Sequence, residues 1–138
     1  MHLAGLVSIE RSNPPALHPT PGYHHVTTVE AARLVFLAGQ CPLDPAGELA
    51  AGGLEGQTAQ VISNILTALE SANARAEDVV RTVIYVASAD RDELAAVWTW
   101  LNESALAPAF TTASTLLGVA QLGFPGQRVE IDVTAALA

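Results

Sequence analysis

The run Arg128-Val-Glu-Ile-Asp-Val-Thr134 alternates strictly between polar and β-branched residues. On an extended strand, Val129, Ile131 and Val133 share one face, and Arg128, Glu130, Asp132 and Thr134 share the other. Two readings of the polar face are open. It is an ordinary solvated face, or it holds Glu130 in a cleft as a carboxylate that handles protons or orients water. His24-His25 put adjacent imidazoles on opposite sides of a strand, where they cannot grip one metal together, and no Cys/His cluster accompanies them. No metal site is expected. Cys41, after Gly39-Gln40, reads as a small buried hydrophobe more than as a nucleophile. Ser114-Thr115 lacks the G-x-S-x-G setting and an assigned histidine partner that a serine hydrolase needs. Trp98 and Trp100, two apart on a helix, point in different directions: one into the core, the other toward an interface or a pocket wall.

These residues must be positioned by a mixed set of elements. Residues 1–22 read as a short strand and a loop, because Asn13-Pro14-Pro15 and Pro19-Thr20-Pro21-Gly22 stop regular structure twice. Tyr23–Val29 and Arg33–Ala38 are strand-like, and Glu30-Ala31-Ala32 between them is short enough for a hairpin. From Leu54 to Ala74 the period becomes helical, with Thr58, Val61, Ile62, Ile65, Leu66 and Leu69 on one stripe. Val79–Ala87 is an apolar strand with almost no alternation, which predicts burial on both faces. Asp90 is the expected N-cap of a second helix carrying Leu94, Val97, Trp98 and Leu101, with Glu93 completing a capping-box pattern. Strands over Ser114–Leu122 and Arg128–Leu137 close the chain, joined by Gly123-Phe124-Pro125-Gly126.

The order is that of an α+β domain spanning residues 1–138, a mixed sheet with two helices. Two helices cover only one face of such a sheet, yet Leu34–Ala38 and Val79–Ala87 carry apolar side chains on both. The economical cover for the second face is another copy of the chain.

Charge narrows the function classes. Fourteen acidic residues stand against six basic ones, a net charge of −8, and every basic residue is arginine. Without lysine, Schiff-base chemistry and a P-loop lysine are unavailable. The scattered arginines and the acidic balance argue against nucleic acid, whose binding depends on clustered basic groups displacing counterions. No apolar run approaches the roughly 20 residues of a membrane span, and the start lacks a signal peptide's basic and apolar regions. The expected location is cytoplasmic.

Read in order, several segments resemble the Rid (reactive intermediate deaminase, YjgF-like) family from about Tyr23 to the C-terminus. They are Tyr23 after Pro-Gly; LVFLAGQCPLD at 34–44, similar to the family's hydrophobic-S-G-Q-I-P-hydrophobic-D/N strand; Gln57-Thr58 with Asn64; EDVVRTVIYV at 77–86; DELAAV at 92–97; and VEIDV at 129–133. The resemblance implies a chorismate-mutase-like fold of the bacillary type, assembled as a homotrimer with clefts between neighbouring subunits. It implies a small-molecule ligand in each cleft and, for the best-known branch, cofactor-free hydrolysis of enamine or imine intermediates to 2-keto acids and ammonia. A ribonuclease activity, attached to some members by name, ranks last here on charge; a non-catalytic binder or sensor is the main alternative.

The same resemblance assigns site residues. Glu130 falls at the family's water-orienting glutamate, and Tyr23 and the Gly39 backbone match binding positions. In the deaminating branch an arginine in a P-A-R-S stretch binds the substrate carboxylate; here the alternative alignments place Ser114 or Phe110 there. Trp98 stands near the family's helix asparagine, and Leu116 two residues after Ser114. The chain therefore resembles a branch without that arginine, and Arg128 is the guanidinium whose direction the sequence leaves open.

Overall fold

The alternation of the last strand organises the molecule. In the computed structural model, which describes residues 7–138, β6 (Val129–Leu137) lies between β3 (Arg33–Phe36) and β4 (Val79–Ala87), antiparallel to both. Beyond β4 lies β5 (Ala113–Val119), parallel to it, so the mixed sheet has the order β3-β6-β4-β5. A parallel neighbour requires a crossover, and α2 (Arg91–Asn102) supplies it.

Val129, Ile131, Val133 and Ala135 of β6 and Thr82, Ile84 and Val86 of β4 are buried on one face. There they meet Val61, Ile65 and Leu69 of α1 (Gly53–Ser71) and Val97 and Leu101 of α2. The stripe expected from Thr58 to Leu69 is thus the buried face of α1, with Ile62 and Leu66 at its margin. Asn73, with φ of 59°, turns the chain out of α1 in the left-handed conformation that asparagine tolerates. No helix among the described residues is long and apolar enough to cross a membrane.

The other face carries no helix. Val83 and Tyr85 lie on it half-buried, so within one chain the burial of β4 alternates. Leu34 and Phe36 project from the same face at 55 % and 72 % exposure. The open face of β4 carries Arg81, Val83 and Tyr85, and the covered face Thr82, Ile84 and Val86.

Two expectations need correction. Tyr23–Val29 and Arg33–Ala38 do not form a hairpin: β2 (Val26–Glu30) pairs antiparallel with β1 (Ser8–Ser12), while β3 belongs to the main sheet. A two-residue hairpin needs positive φ at its centre, and Ala31-Ala32 does not adopt it. The β1–β2 ribbon instead docks beside the start of β5. Thr27 accepts from the Ala113 N–H at 3.0 Å and shares a hydrogen with Thr112, and Arg11 Nη2 donates to the carbonyls of Glu77 and Val79. The capping box at Asp90 is also incomplete. Asp90 Oδ1 accepts from the Asp92 N–H at 2.8 Å, but Glu93 turns instead to Ser88 and Arg128.

Side-chain amides tie the loops to this frame. Gln57, 4 % exposed, donates to the Gly126 carbonyl at 3.0 Å and accepts from the Arg128 N–H at 2.7 Å. Asn64 donates to the carbonyls of Cys41 and Leu43. Replacing Gln57 by Leu strands two backbone groups in a buried site, and urea unfolding should show a loss of about 1–3 kcal/mol. An unchanged midpoint would mean that water restores both bonds.

Candidate functional site

Side chains capable of recognition or chemistry gather in two places, on opposite faces of the sheet. The first is a cavity of about 480 Å³ between α2 and β5. Arg91, Leu94, Ala95 and Trp98 recur at helical spacing along the face of α2 that looks at β5, with Thr99 beside them. Ser114 and Leu116 reach the cavity from β5, where their strand partners Thr82 and Ile84 mark the helix-covered face. Pro21 and Tyr23 close it from the loop before β2.

The aromatic wall is fixed by geometry. Trp98 Nε1 donates to the Pro21 carbonyl at 3.1 Å, which pins the loop to α2. Its ring stands edge-to-face with Tyr23 at 6.3 Å and with the fully buried Phe110 at 6.0 Å, separations at which such pairs attract. Of the two alignments for the missing arginine, position 114 therefore opens on the cavity and position 110 is core. Trp98 and Trp100 both pack half-buried against the core cluster, and Trp98 also lines the cavity.

Ser114 is a wall and not a nucleophile: its hydroxyl donates to the Thr112 carbonyl at 3.0 Å and accepts from Thr82 Oγ1 at 2.6 Å. Both histidines lie in the loop ahead of β2 and not within it. His24 Nδ1 contacts the Thr111 carbonyl and His25 Nε2 the His18 carbonyl, so each ring serves the loop.

The second place is on the open face. Glu130 Oε1 accepts from Cys41 Sγ at 3.2 Å and from Gln127 Nε2 at 3.1 Å. Both donors use the same oxygen, and Oε2 is turned toward Gly39. A Cβ at Gly39 would come within 2.9 Å of Asp132 Oδ1 and closer still to Glu130 Oε2, so a side chain there would push both carboxylates aside. Asp132 accepts from the Tyr85 hydroxyl at 3.1 Å, and that hydrogen bond raises the phenol above its ordinary pKa. Burial, reinforced by the hydrogen bond to Glu130 and its charge, pushes the Cys41 thiol up to about 11. Cys41 is half-buried and acts as a donor, not simply as an apolar filler.

The sheet thus separates Glu130 and Gly39 from Tyr23, Trp98, Ser114 and Leu116: within one chain, the open face holds the first pair and the helix-covered face the rest. Arg128 joins neither group. Its Nη2 donates to both oxygens of Glu93 at 2.9 Å and its Nε to the Ala87 carbonyl at 3.0 Å. Ser88 and Arg128 together hold the Glu93 carboxyl below its ordinary range. The arginine among the residues lining the cavity is Arg91. Its spacing of seven from Trp98 was the signal available in the sequence.

A thiol with a pKa near 11 should react slowly with iodoacetamide at pH 8 and accelerate only as pH approaches that value. Glu130→Gln should move the labelling profile part of the way down, since burial, the larger cause, remains. A profile unchanged in Glu130→Gln would show that the carboxylate does not touch the thiol.

The family model for Endoribonuclease L-PSP matches residues 14–137. A RutC family protein of Pyrococcus horikoshii is 36 % identical over 69 residues, which is 49 % of this chain and 55 % of the relative. The yeast protein HMF1 is 37 % identical over 65 residues, 47 % of this chain and 49 % of that one. The chain thus spans about half the length of the curated relatives it matches. Among solved structures, the Rid-family protein YyfB of Yersinia pestis superposes with a TM-score of 0.85 at 32 % identity, covering 94 % of this chain and 98 % of that one. A YjgF-family protein of Neisseria meningitidis gives 0.60 at 26 %, covering 95 % and 96 %. The mixed sheet with two helices is the fold of these neighbours, and the chain belongs to the Endoribonuclease L-PSP family, that of the Rid and YjgF proteins.

Proposed function

We propose that this chain binds a small, largely apolar metabolite in the cavity between α2 and β5, and that the working site is a cleft between copies of a homotrimer. The observation that carries this reading is the cavity itself, about 480 Å³ walled by Tyr23, Trp98, Leu94 and Leu116. Ligand sites are concave and mainly apolar, with few polar groups placed among aromatic walls. The separation of Glu130 from this cavity supports the trimer: a neighbour's Glu130 can complete a cleft that the chain's own cannot reach. Leu34 and Phe36, exposed on the uncovered face, give an association surface.

Imine or enamine hydrolysis is the second reading, favoured by the arrangement around Glu130. Cys41 and Gln127 hold one carboxylate oxygen and leave the other facing the space that Gly39 lacks a side chain to fill. There it can orient a water toward an imine carbon. Water adds to carbon as nitrogen takes a proton; the carbinolamine then expels ammonia and leaves the carbonyl. No cofactor is required. The net charge of −8 opposes RNA as the substrate.

Freshly generated 2-aminoacrylate or iminopropionate should be hydrolysed at or near the background rate, measured as ammonia release, because neither position 110 nor position 114 carries a guanidinium. Robust turnover abolished by Glu130→Gln would establish the enzymatic reading instead. Sedimentation should give a mass threefold that of the 14.3 kDa chain, falling toward the monomer in Phe36→Glu. A monomeric wild-type protein would end the trimer proposal.

A further inference from the structure

The fold pairs His25 with His18 and not with its sequence neighbour. The two rings stand edge-to-face, with centroids 4.6 Å apart and planes at 81°. His24 is directed elsewhere, to the Thr111 carbonyl. Each ring of the pair has one nitrogen committed to the backbone: His25 Nε2 meets the His18 carbonyl at 2.8 Å, and His18 Nδ1 the Pro19 carbonyl at 3.0 Å. A carbonyl only accepts, so each of these nitrogens carries the hydrogen. The neutral imidazole then presents a lone pair on its other nitrogen, His18 Nε2 in one ring and His25 Nδ1 in the other.

This is how metal-binding histidines are held, with the second nitrogen fixed on a carboxylate or a backbone carbonyl. At a metal–nitrogen distance of about 2.0–2.1 Å, two imidazoles at right angles on one ion have centroids about 4.5 Å apart, which is the spacing of this pair. The segment that carries them is also stiff. Pro14, Pro15, Pro19 and Pro21 restrict its backbone. Asn13 Oδ1 accepts from the His25 N–H at 2.8 Å, Leu17 N–H donates to the Pro14 carbonyl at 3.0 Å, and Trp98 Nε1 holds the Pro21 carbonyl. Little freedom is left to lose when an ion bridges the rings, and a net charge of −8 draws cations to the chain.

We infer that His18 and His25 form a two-histidine site for a divalent transition-metal ion of the copper and zinc class, and that the ion fastens the loop closing the cavity between α2 and β5. Imidazole suits these ions, whereas magnesium and calcium take oxygen ligands. No group of three or more His, Cys, Asp or Glu side chains among the described residues can hold a metal, so water completes the coordination. The ion is therefore an exchangeable clamp and not a permanent structural centre. Pro21 and Tyr23, which close the cavity, lie between the two ligands in the chain. The Tyr23 ring stands edge-to-face with His25 at 6.0 Å and with Trp98 at 6.3 Å. A bridge from His18 to His25 holds that aromatic set in place.

Copper(II) added to the whole protein at neutral pH should bind with two equatorial imidazoles in its electron spin echo spectrum. His18→Gln and His25→Gln should each weaken binding roughly a hundredfold, the worth of a second tethered ligand, and leave one imidazole in the spectrum. His2→Ala should change neither, which separates the pair from the chain's first residues. His18 is exposed, so the metal-free His18→Gln protein should unfold at the wild-type temperature. Zinc should slow hydrogen exchange across residues 18–25 in the wild type and not in His18→Gln. Absence of binding, a single imidazole in the wild-type spectrum, or an affinity unchanged in either glutamine variant overturns the site. Two-imidazole binding without slowed exchange overturns the fastening role alone.

Discussion

The two-residue period of β6 is the constraint on which the rest of the molecule depends. Its odd-numbered residues, from Val129 to Ala135, meet the helices and are buried; its even-numbered residues, Glu130, Asp132 and Thr134, emerge on the face that no helix covers. A slip of one residue would exchange the two sets, placing carboxylates in the core and valines on the open face. Register is therefore held by burial as well as by hydrogen bonds, and β3 and β4 inherit it through their pairing with β6. Glu130 meets Cys41 and Gln127 because that register brings the Gly39–Cys41 segment alongside Ile131, where Gln40 bonds it in both directions.

The cavity between α2 and β5 has a different origin. A parallel strand needs a crossover, and the crossover helix must pack on the edge strand it leads to. Gly118 permits close approach at one end, where an added Cβ would lie 2.8 Å from the Ser88 carbonyl. At the other end Trp98 stands edge-to-face against the buried Phe110, and the cavity lies between α2 and β5. The loop carrying Pro21 and Tyr23 closes the cavity, pinned by Trp98.

Charge pairing around α2 then divides the arginines by role. Arg128 comes from the sheet and reaches Glu93, joining the start of β6 to the first turn of the helix and to the Ala87 carbonyl. That pair spends the nearby carboxylate on structure. Arg91, two residues before Glu93, is among the residues lining the cavity. The distinction lies in helical phase: Glu93 and Arg91 stand on different sides of α2, and Glu93 is the one that meets Arg128.

Much was legible in residue order alone. The alternation of 128–134, the apolar stripe of α1 and the Asp90 cap are local patterns, governed by contacts within a few residues, and each stands where local physics puts it. The linear order of segments such as 34–44 and 129–133 also sufficed to suggest the family. Whether Ala31-Ala32 closes a hairpin, which direction Arg128 takes, and whether position 110 or 114 meets the cavity are contests between distant groups. Tertiary structure decided these: Arg11 and Thr27 bind the ribbon beside β5, Glu93 captures Arg128, and Trp98 covers Phe110. The separation of Glu130 from Trp98 and Ser114 across the sheet belongs to the same class. A strand's face is written in its own period, but what stands opposite that face depends on chain that lies far away in sequence or in another copy.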